Sequence, residues 1–426
     1  MRLIYSILIV LGTPFVLLYF AVRGLSDRSY LQRWSERFAY IPTHDRKQGI
    51  LVHAASVGEV NASQTLVRAL LATHPESSIT ISTLTPTGSA QVRRLFDNRV
   101  STYFIPIDIP WVVARFLKRL QPQLIIIIET EIWPNLYYHA QKRGIPLLMA
   151  NARLSERSAR HYQVVSEFVA QTLNRVTWIG AQSADDQRRL VECGAKADVI
   201  HMTGNLKFDL DVSPSFKETG QALREQWGQS RPVLVAGSTH EADEKVLFPA
   251  FQRLLDKCPD ALLIVVPRHA ERFGRTAQLA SSAGLQTEVY SVQGRACSAQ
   301  AQCFVIDIIG ELMIYYACGD VAYVGGGMGD QGGHNALEPA ALGLPVLFGP
   351  NMDNAREIAD QLLASHAAVC VSDAQDLFAA SDRILRDLNL RDRMGQASLG
   401  LVEQNRGALA TTLQAVKGVL SRSAVD

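Results

Sequence analysis

A chain of 426 residues is too long for one ordinary core and, at about 150 residues per domain, fits two or three domains. Hydrophobic content of 47% against 19% charged excludes a disordered chain and leaves apolar sequence beyond what a core needs. The net charge of +1 shows no basic excess of the kind a nucleic-acid binder carries, but it is unevenly spread, with 24 basic and 17 acidic residues to Asp211 against 18 and 24 beyond it.

Leu3 to Val22 is uncharged, and its twenty residues are the length that crosses a bilayer as a helix. Arg23-Gly24-Leu25 follows, where a cleaved signal would show a small-x-small site. Arg2 precedes the run, whereas Arg23, Arg28, Arg33, Arg37, Arg46 and Lys47 follow it, so the positive-inside rule places the rest of the chain in the cytoplasm. We expect a membrane anchor over 1–25. Ser26 to Lys47, basic and aromatic (Tyr30, Trp34, Phe38, Tyr40), suits an interfacial helix. The clusters Arg93, Arg94, Arg99 and Arg115, Lys118, Arg119 fit either anionic headgroups or plain solvated charge. Six cysteines without C-x-x-C spacing suggest free thiols in a reducing compartment.

Short apolar runs then alternate with helical patterns: Ile50 to Ala54, Ile79 to Thr83, Thr102 to Pro106, Leu124 to Ile128, Pro146 to Ala150, Trp178 to Ala181 and Val199 to Met202. The pattern lapses around Asp209 to Glu218, where a linker is expected. It resumes at Val233 to Gly237, Leu262 to Val266, Thr287 to Tyr290, Phe304 to Asp307, Val321 to Val324, Pro345 to Phe348 and Ala368 to Val371. The expected fold is therefore α/β, with two tandem doubly wound parallel sheets over 26–211 and 212–426 and a cleft between them. Ala408 to Leu420 reads as a closing helix.

Open parallel sheets bind ligands beyond the carboxyl ends of their strands, and the polar clusters of this sequence lie there. His53-Ala-Ala-Ser56-Val-Gly58-Glu59, Thr83-Leu-Thr85-Pro-Thr87-Gly88, Glu129-Thr130-Glu131-Ile-Trp133-Pro-Asn135 and Asn151-Ala-Arg153-Leu-Ser155 follow runs of the first series. Gly237-Ser238-Thr239-His240-Glu241 and Pro267-Arg268-His269 follow runs of the second. Val321 to Ala341 (VAYVGGGMGDQGGHNALEPAA) reads as a strand, a loop of six glycines and a helix start carrying Glu338, a cradle for a phosphate with a carboxylate for a ribose diol, or else a tight ligand-free connection. Its G-x-G-x-x-G, Gly327 to Gly332, opens no first βαβ unit, which argues against a nicotinamide or flavin.

Glu59, just past a small-residue turn, is placed to be partly desolvated and to act as a base, or to serve only as a first-turn helix carboxylate. Glu129 ends four consecutive isoleucines, Ile125 to Ile128, where an unpaired charge is costly. Lys207 stands at the linker, and Arg268 and His269 offer charge to a phosphate. No metal site is expected: Asp209-Leu-Asp211 lies in the linker, and HExxH and a Walker A motif are absent.

HAASVGE, TLTPTG, ETEIWPN, NARLS, GNLKFD, GSTHE, VPRH and GGHNALEPA, in this order behind an apolar segment, closely resemble the 3-deoxy-D-manno-octulosonic acid (Kdo) transferases of lipopolysaccharide synthesis, from the apolar segment to about Leu363. The resemblance implies a GT-B fold, CMP-Kdo as donor, no cofactor, and a lipid A precursor of the bacterial inner membrane as acceptor. It implies Glu59 as general base, Glu129 and Lys207 as aids to the transition state, and CMP contacts from Arg268, His269, Gly310, Glu311, Leu312, Asn335, Ala336, Leu337 and Glu338. The loop before GGHN departs from the commoner family pattern, as does GSTHEADEK after its first Glu. A nucleotide-sugar 2-epimerase of the same fold and a non-catalytic nucleotide binder are the alternatives.

Overall fold

A computed structural model of the chain describes residues 1–43, 49–210 and 212–423; Arg46, Lys47 and Asp211 lie outside the described residues. The chain forms two compact units, Met1–Asp209 with Asn405–Asp426, and Leu210–Gln404.

In the first unit β1 (Gly49–His53), β2 (Ile79–Thr83), β3 (Ser101–Phe104), β4 (Pro122–Ile128), β5 (Leu147–Ala152), β6 (Trp178–Ala181) and β7 (Ile200–Met202) form one parallel sheet in the order β3-β2-β1-β4-β5-β6-β7. The isoleucine run explains why β4 is central. Alternate side chains point to opposite faces, so Ile125 and Ile127 join Leu51 in one core while Leu124, Ile126 and Ile128 join Ile50 and Val52 in the other. Each isoleucine withdrawn from water contributes about 1.5–3 kcal/mol. The crossover helices have defined starts: Ser56, Thr85, Ser155 and Ser183 each accept a backbone N–H of the first turn, and Pro86, Pro110 and Pro134 open their helices. The chain runs outward from β1 to β3 and returns to β4 on the other side, so the order reverses between β1 and β4.

The second unit holds β8 (Val233–Thr239), β9 (Leu262–Pro267), β10 (Thr287–Val289), β11 (Cys303–Val305), β12 (Val321–Val324), β13 (Val346–Phe348) and β14 (Ala368–Cys370), again all parallel. Their order is β10-β11-β9-β8-β12-β13-β14, with β11 inserted between β9 and β10 and the reversal between β8 and β12.

The run Leu3 to Val22 forms the helix Arg2–Ser26, long and apolar enough to cross a membrane. The carboxyl terminus departs from the expected domain 212–426. The helix Ala408–Ser423 belongs to the first unit, where Ala408 and Val416 pack with Ile126, Ile128 and Leu148. That sheet face needs an apolar cover, and the last helix supplies it. Asp209, half of the D-x-D pattern, holds the helix in place: its two carboxylate oxygens accept the N–H groups of Gly407 and Leu409, each at 2.8 Å. It is a helix cap.

Candidate functional site

In the first unit the residues of interest gather where β1 and β4 end. Glu59 sits in the first turn of the helix Val57–Ala62 and curls back to accept the Ala55 N–H and the Ser56 hydroxyl, the latter at 3.2 Å. Burial pushes its carboxyl up to about 7; the Ala55 N–H pulls it back, while the negative charges of Glu131 and Glu129 push it further up. Glu131 is itself raised, by burial and then by Glu129. Glu129 and Glu131 thus lie close enough to Glu59 at the switch point of this sheet for their charges to bear on it, and Glu59 and Glu131 each hold a proton more tightly than a solvated carboxylate does. Glu129 has a left-handed backbone (φ 59°) that turns the chain sharply off β4. Asn151, at φ 58° in a bulge of β5, makes a matching turn, and its side-chain oxygen accepts the Leu206 N–H at 2.9 Å. The short turn Leu206–Phe208 that carries Lys207 thereby lies against the helix of Glu59.

His53, the last residue of β1, is fully buried. Its Nδ1 meets the hydroxyl and carbonyl oxygens of Ser82 at 3.0 and 3.2 Å, its ring stands edge-on to Trp133, and Nε2 has no partner. Burial brings this imidazole down to about 4, so it is neutral at pH 7.

In the second unit the loops after β8, β9, β11 and β12 converge. His240 begins the helix Glu241–Leu255, and its ring stacks on His334 with centroids 5.1 Å apart and Nε2 atoms at 2.9 Å. Burial, followed by Arg268, His240 and His269, brings His334 down to about 4, and His240 is lowered by burial as well. Both imidazoles are neutral at pH 7, so one Nε2–H donates to the other Nε2. His269 stands edge-on to His240 at 5.3 Å. Burial raises the carboxyl of Glu338, against which Asn335 Nδ2, donating to it at 3.1 Å, and then the charge of Arg268 pull it back. Leu312 opens the helix Leu312–Cys318 close to Gly237 of β8, bringing Gly310 and Glu311 to the same end of the sheet. Glu311 pairs with Arg295 at 2.9 Å. Arg268 and His269 leave the carboxyl end of β9, the neighbour of β8, and Asn335, Ala336, Leu337 and Glu338 follow β12, on the other side of the β8–β12 reversal.

The glycine loop proves to be tight for an internal reason. A Cβ on Gly327 would lie 2.7 Å from the backbone nitrogen of Gly349, and one on Gly325 would strike the Ser238 carbonyl. These glycines let backbone pass backbone. The loop is held by Asp243, whose fully buried carboxylate accepts His240 N, Gly326 N, Tyr323 Oη and Met328 N at 2.9, 2.8, 2.8 and 3.2 Å. The expected helix start at Glu338 is a single turn, Leu337–Ala340, with Asn335 Oδ1 accepting the Leu337 N–H at 3.2 Å. Arg268, a neutral imidazole pair and a capped turn suit an anionic phosphate, and the Glu338 carboxylate suits a diol. Among the described residues no group of three His, Cys, Asp or Glu side chains is placed to share a metal ion.

The sequence points to these strand-end loops but gives no role to Glu131, Asp243 or the His240–His334 pair. The histidines are 94 positions apart, and only the order of β8 and β12 brings them together.

Two parallel sheets, each with polar loops at its reversal, define a GT-B-like two-domain α/β protein. A UDP-GlcNAc 2-epimerase from Neisseria meningitidis, solved with UDP-GlcNAc bound, matches it with a TM-score of 0.53 over 87% of this chain and 100% of that one, at 14% identity, a likeness of fold alone. The family described as 3-Deoxy-D-manno-octulosonic-acid transferase (kdotransferase) matches residues 32–210. A 3-deoxy-D-manno-octulosonic acid transferase of Haemophilus influenzae is 36% identical over 99% of each chain, and one of Bordetella pertussis 31% identical over 86% of each. The chain belongs to the 3-deoxy-D-manno-octulosonic acid transferase family and is a glycosyltransferase. The 2-epimerase alternative shares its fold and not its family.

Proposed function

We propose that this protein transfers Kdo from CMP-Kdo to a hydroxyl of a lipid A precursor, without a metal ion, while attached by its amino-terminal helix to the cytoplasmic leaflet of the bacterial inner membrane. The observation that carries the reading is Glu59, a half-buried carboxyl raised to about 7 at the switch point of the first sheet, where it is poised as a base near neutral pH. The acceptor hydroxyl gives its proton to Glu59 as its oxygen bonds to the anomeric carbon. The bond from that carbon to the phosphate oxygen breaks, and CMP departs with the electron pair. Lys207 and Glu129 position the acceptor and balance charge in this step. In the second unit Arg268, His269 and the turn Asn335-Ala336-Leu337 hold the phosphate, Glu338 the ribose, and Gly310, Glu311 and Leu312 the base-side wall. Relatives named as Kdo transferases support the sugar. The test incubates the full chain with CMP-Kdo and a lipid A precursor in EDTA and weighs the lipid by mass spectrometry. The expected product is heavier by Kdo residues; an unchanged lipid, or turnover abolished by EDTA, would contradict the proposal.

A further inference from the structure

The apolar helix Arg2–Ser26 is fastened to the first unit over its first turns and again at its carboxyl end. Its buried residues, Ser6, Thr13, Phe20 and Gly24, recur every four or seven positions and so form one stripe along its whole length. At the amino end Arg2 and the Ser6 hydroxyl both donate to Asn135 Oδ1 at 3.1 Å, Tyr5 donates to Asp108 Oδ2 at 3.0 Å, and the Arg2 guanidinium lies 3.6 Å from the centre of the Tyr138 ring. Asp108 and Asn135 are buried and tied to each other, Asp108 accepting the N–H groups of Asn135 and Leu136 at 2.9 Å. About two turns in, Ile9 and Val10 pack against the core that holds Ile125 and Ile127. At the carboxyl end the buried Arg37 guanidinium lies over Phe20 (4.1 Å) and over Phe104 of β3 (4.3 Å), and Leu31 presses on Gly24 where no Cβ fits.

The opposite face is apolar and open: Leu3, Leu8, Leu11, Phe15, Leu18 and Val22 are each more than half exposed. The helix contains no acidic residue, and its only charges, Arg2 and Arg23, stand at its two ends. An acid-free apolar strip bounded by cations is complementary to an anionic phospholipid surface.

We infer that this helix lies in the plane of the membrane, its outer face sunk among the acyl chains of one leaflet, rather than passing from one side to the other. The inference rests on the membrane attachment proposed above and specifies its geometry. Twenty-five residues make a rod about 37 Å long, and a crossing helix must put its ends on opposite sides of about 30 Å of hydrocarbon. With both ends bound to one water-soluble unit, crossing would either carry Asp108, Asn135 and Arg37 into lipid or break every contact described. Lying flat keeps the contacts and covers the open face.

The test places an epitope and a protease site before Met1 of the full chain and follows cleavage in sealed inner-membrane vesicles of both orientations. Flotation of the purified chain on phosphatidylglycerol–phosphatidylethanolamine vesicles is measured alongside. The in-plane helix predicts flotation, cleavage in inside-out vesicles and protection in right-side-out ones, so that the amino terminus shares the side of the catalytic units. Flotation with the opposite protection pattern would overturn the in-plane helix and leave membrane attachment standing. A chain that does not float would overturn attachment itself.

Discussion

Glu59 owes its chemistry to its neighbours. Its carboxyl is raised by burial and then by the charges of Glu131 and Glu129, so changing a neighbour should retune it without removing it. A base acts when ionised, so kcat/KM should fall about tenfold per pH unit below the Glu59 titration near 7. Glu131→Gln removes a negative charge that holds the proton on; the acid limb should therefore move to lower pH, and pH–rate profiles of the two proteins check this. A limb that stays in place or moves up would separate Glu131 from Glu59. At this scale the sequence was partly legible. Four isoleucines running into Glu129 signalled a charge at the end of a buried strand, and a small-residue turn signalled Glu59. The left-handed backbone of Glu129, Asn151 and Ser238 was not visible, because none of these residues is glycine and each is held there by the surrounding strands.

Among the elements, the glycine loop after β12 shows a motif whose place is plain in the sequence while the reason for its glycines is not. Its position at a strand end was plain from the apolar run before it. Gly325 and Gly327, however, are shaped by Ser238 and Gly349, residues of β8 and of the turn after β13, whose adjacency depends on the sheet order. Gly327→Ala must push two backbones apart and should lower stability by about 1–3 kcal/mol, read as a fall in the unfolding midpoint. Asp243→Ala leaves buried N–H groups of the same loop without an acceptor and should cost about 2–4 kcal/mol while weakening CMP binding, measured by calorimetry. Unchanged CMP affinity in this variant would show that the loop's conformation does not matter to the nucleotide. The strands themselves were the most legible elements, since a parallel sheet covered on both faces writes itself as near-continuous apolar runs.

For the molecule as a whole, both ends of the chain serve the first unit. The helix Ala408–Ser423 covers a face built from Ile126, Ile128 and Leu148, a partnership between segments more than 250 residues apart in sequence that periodicity cannot reveal. Removing 405–426 should expose that face and cause the first unit to aggregate or unfold at a lower temperature while the second still melts cooperatively; two separate transitions by calorimetry would show it. The proposed role of Glu59 as proton acceptor in sugar transfer is tested by the pH dependence of single-turnover Kdo transfer by wild type and Glu59→Gln, with CMP binding measured in parallel. The wild-type rate should rise with unit slope and level off above about pH 7, whereas Glu59→Gln should bind CMP normally and turn over at least about 100-fold more slowly with no such limb. A Glu59→Gln protein that keeps the wild-type rate and profile would contradict the account.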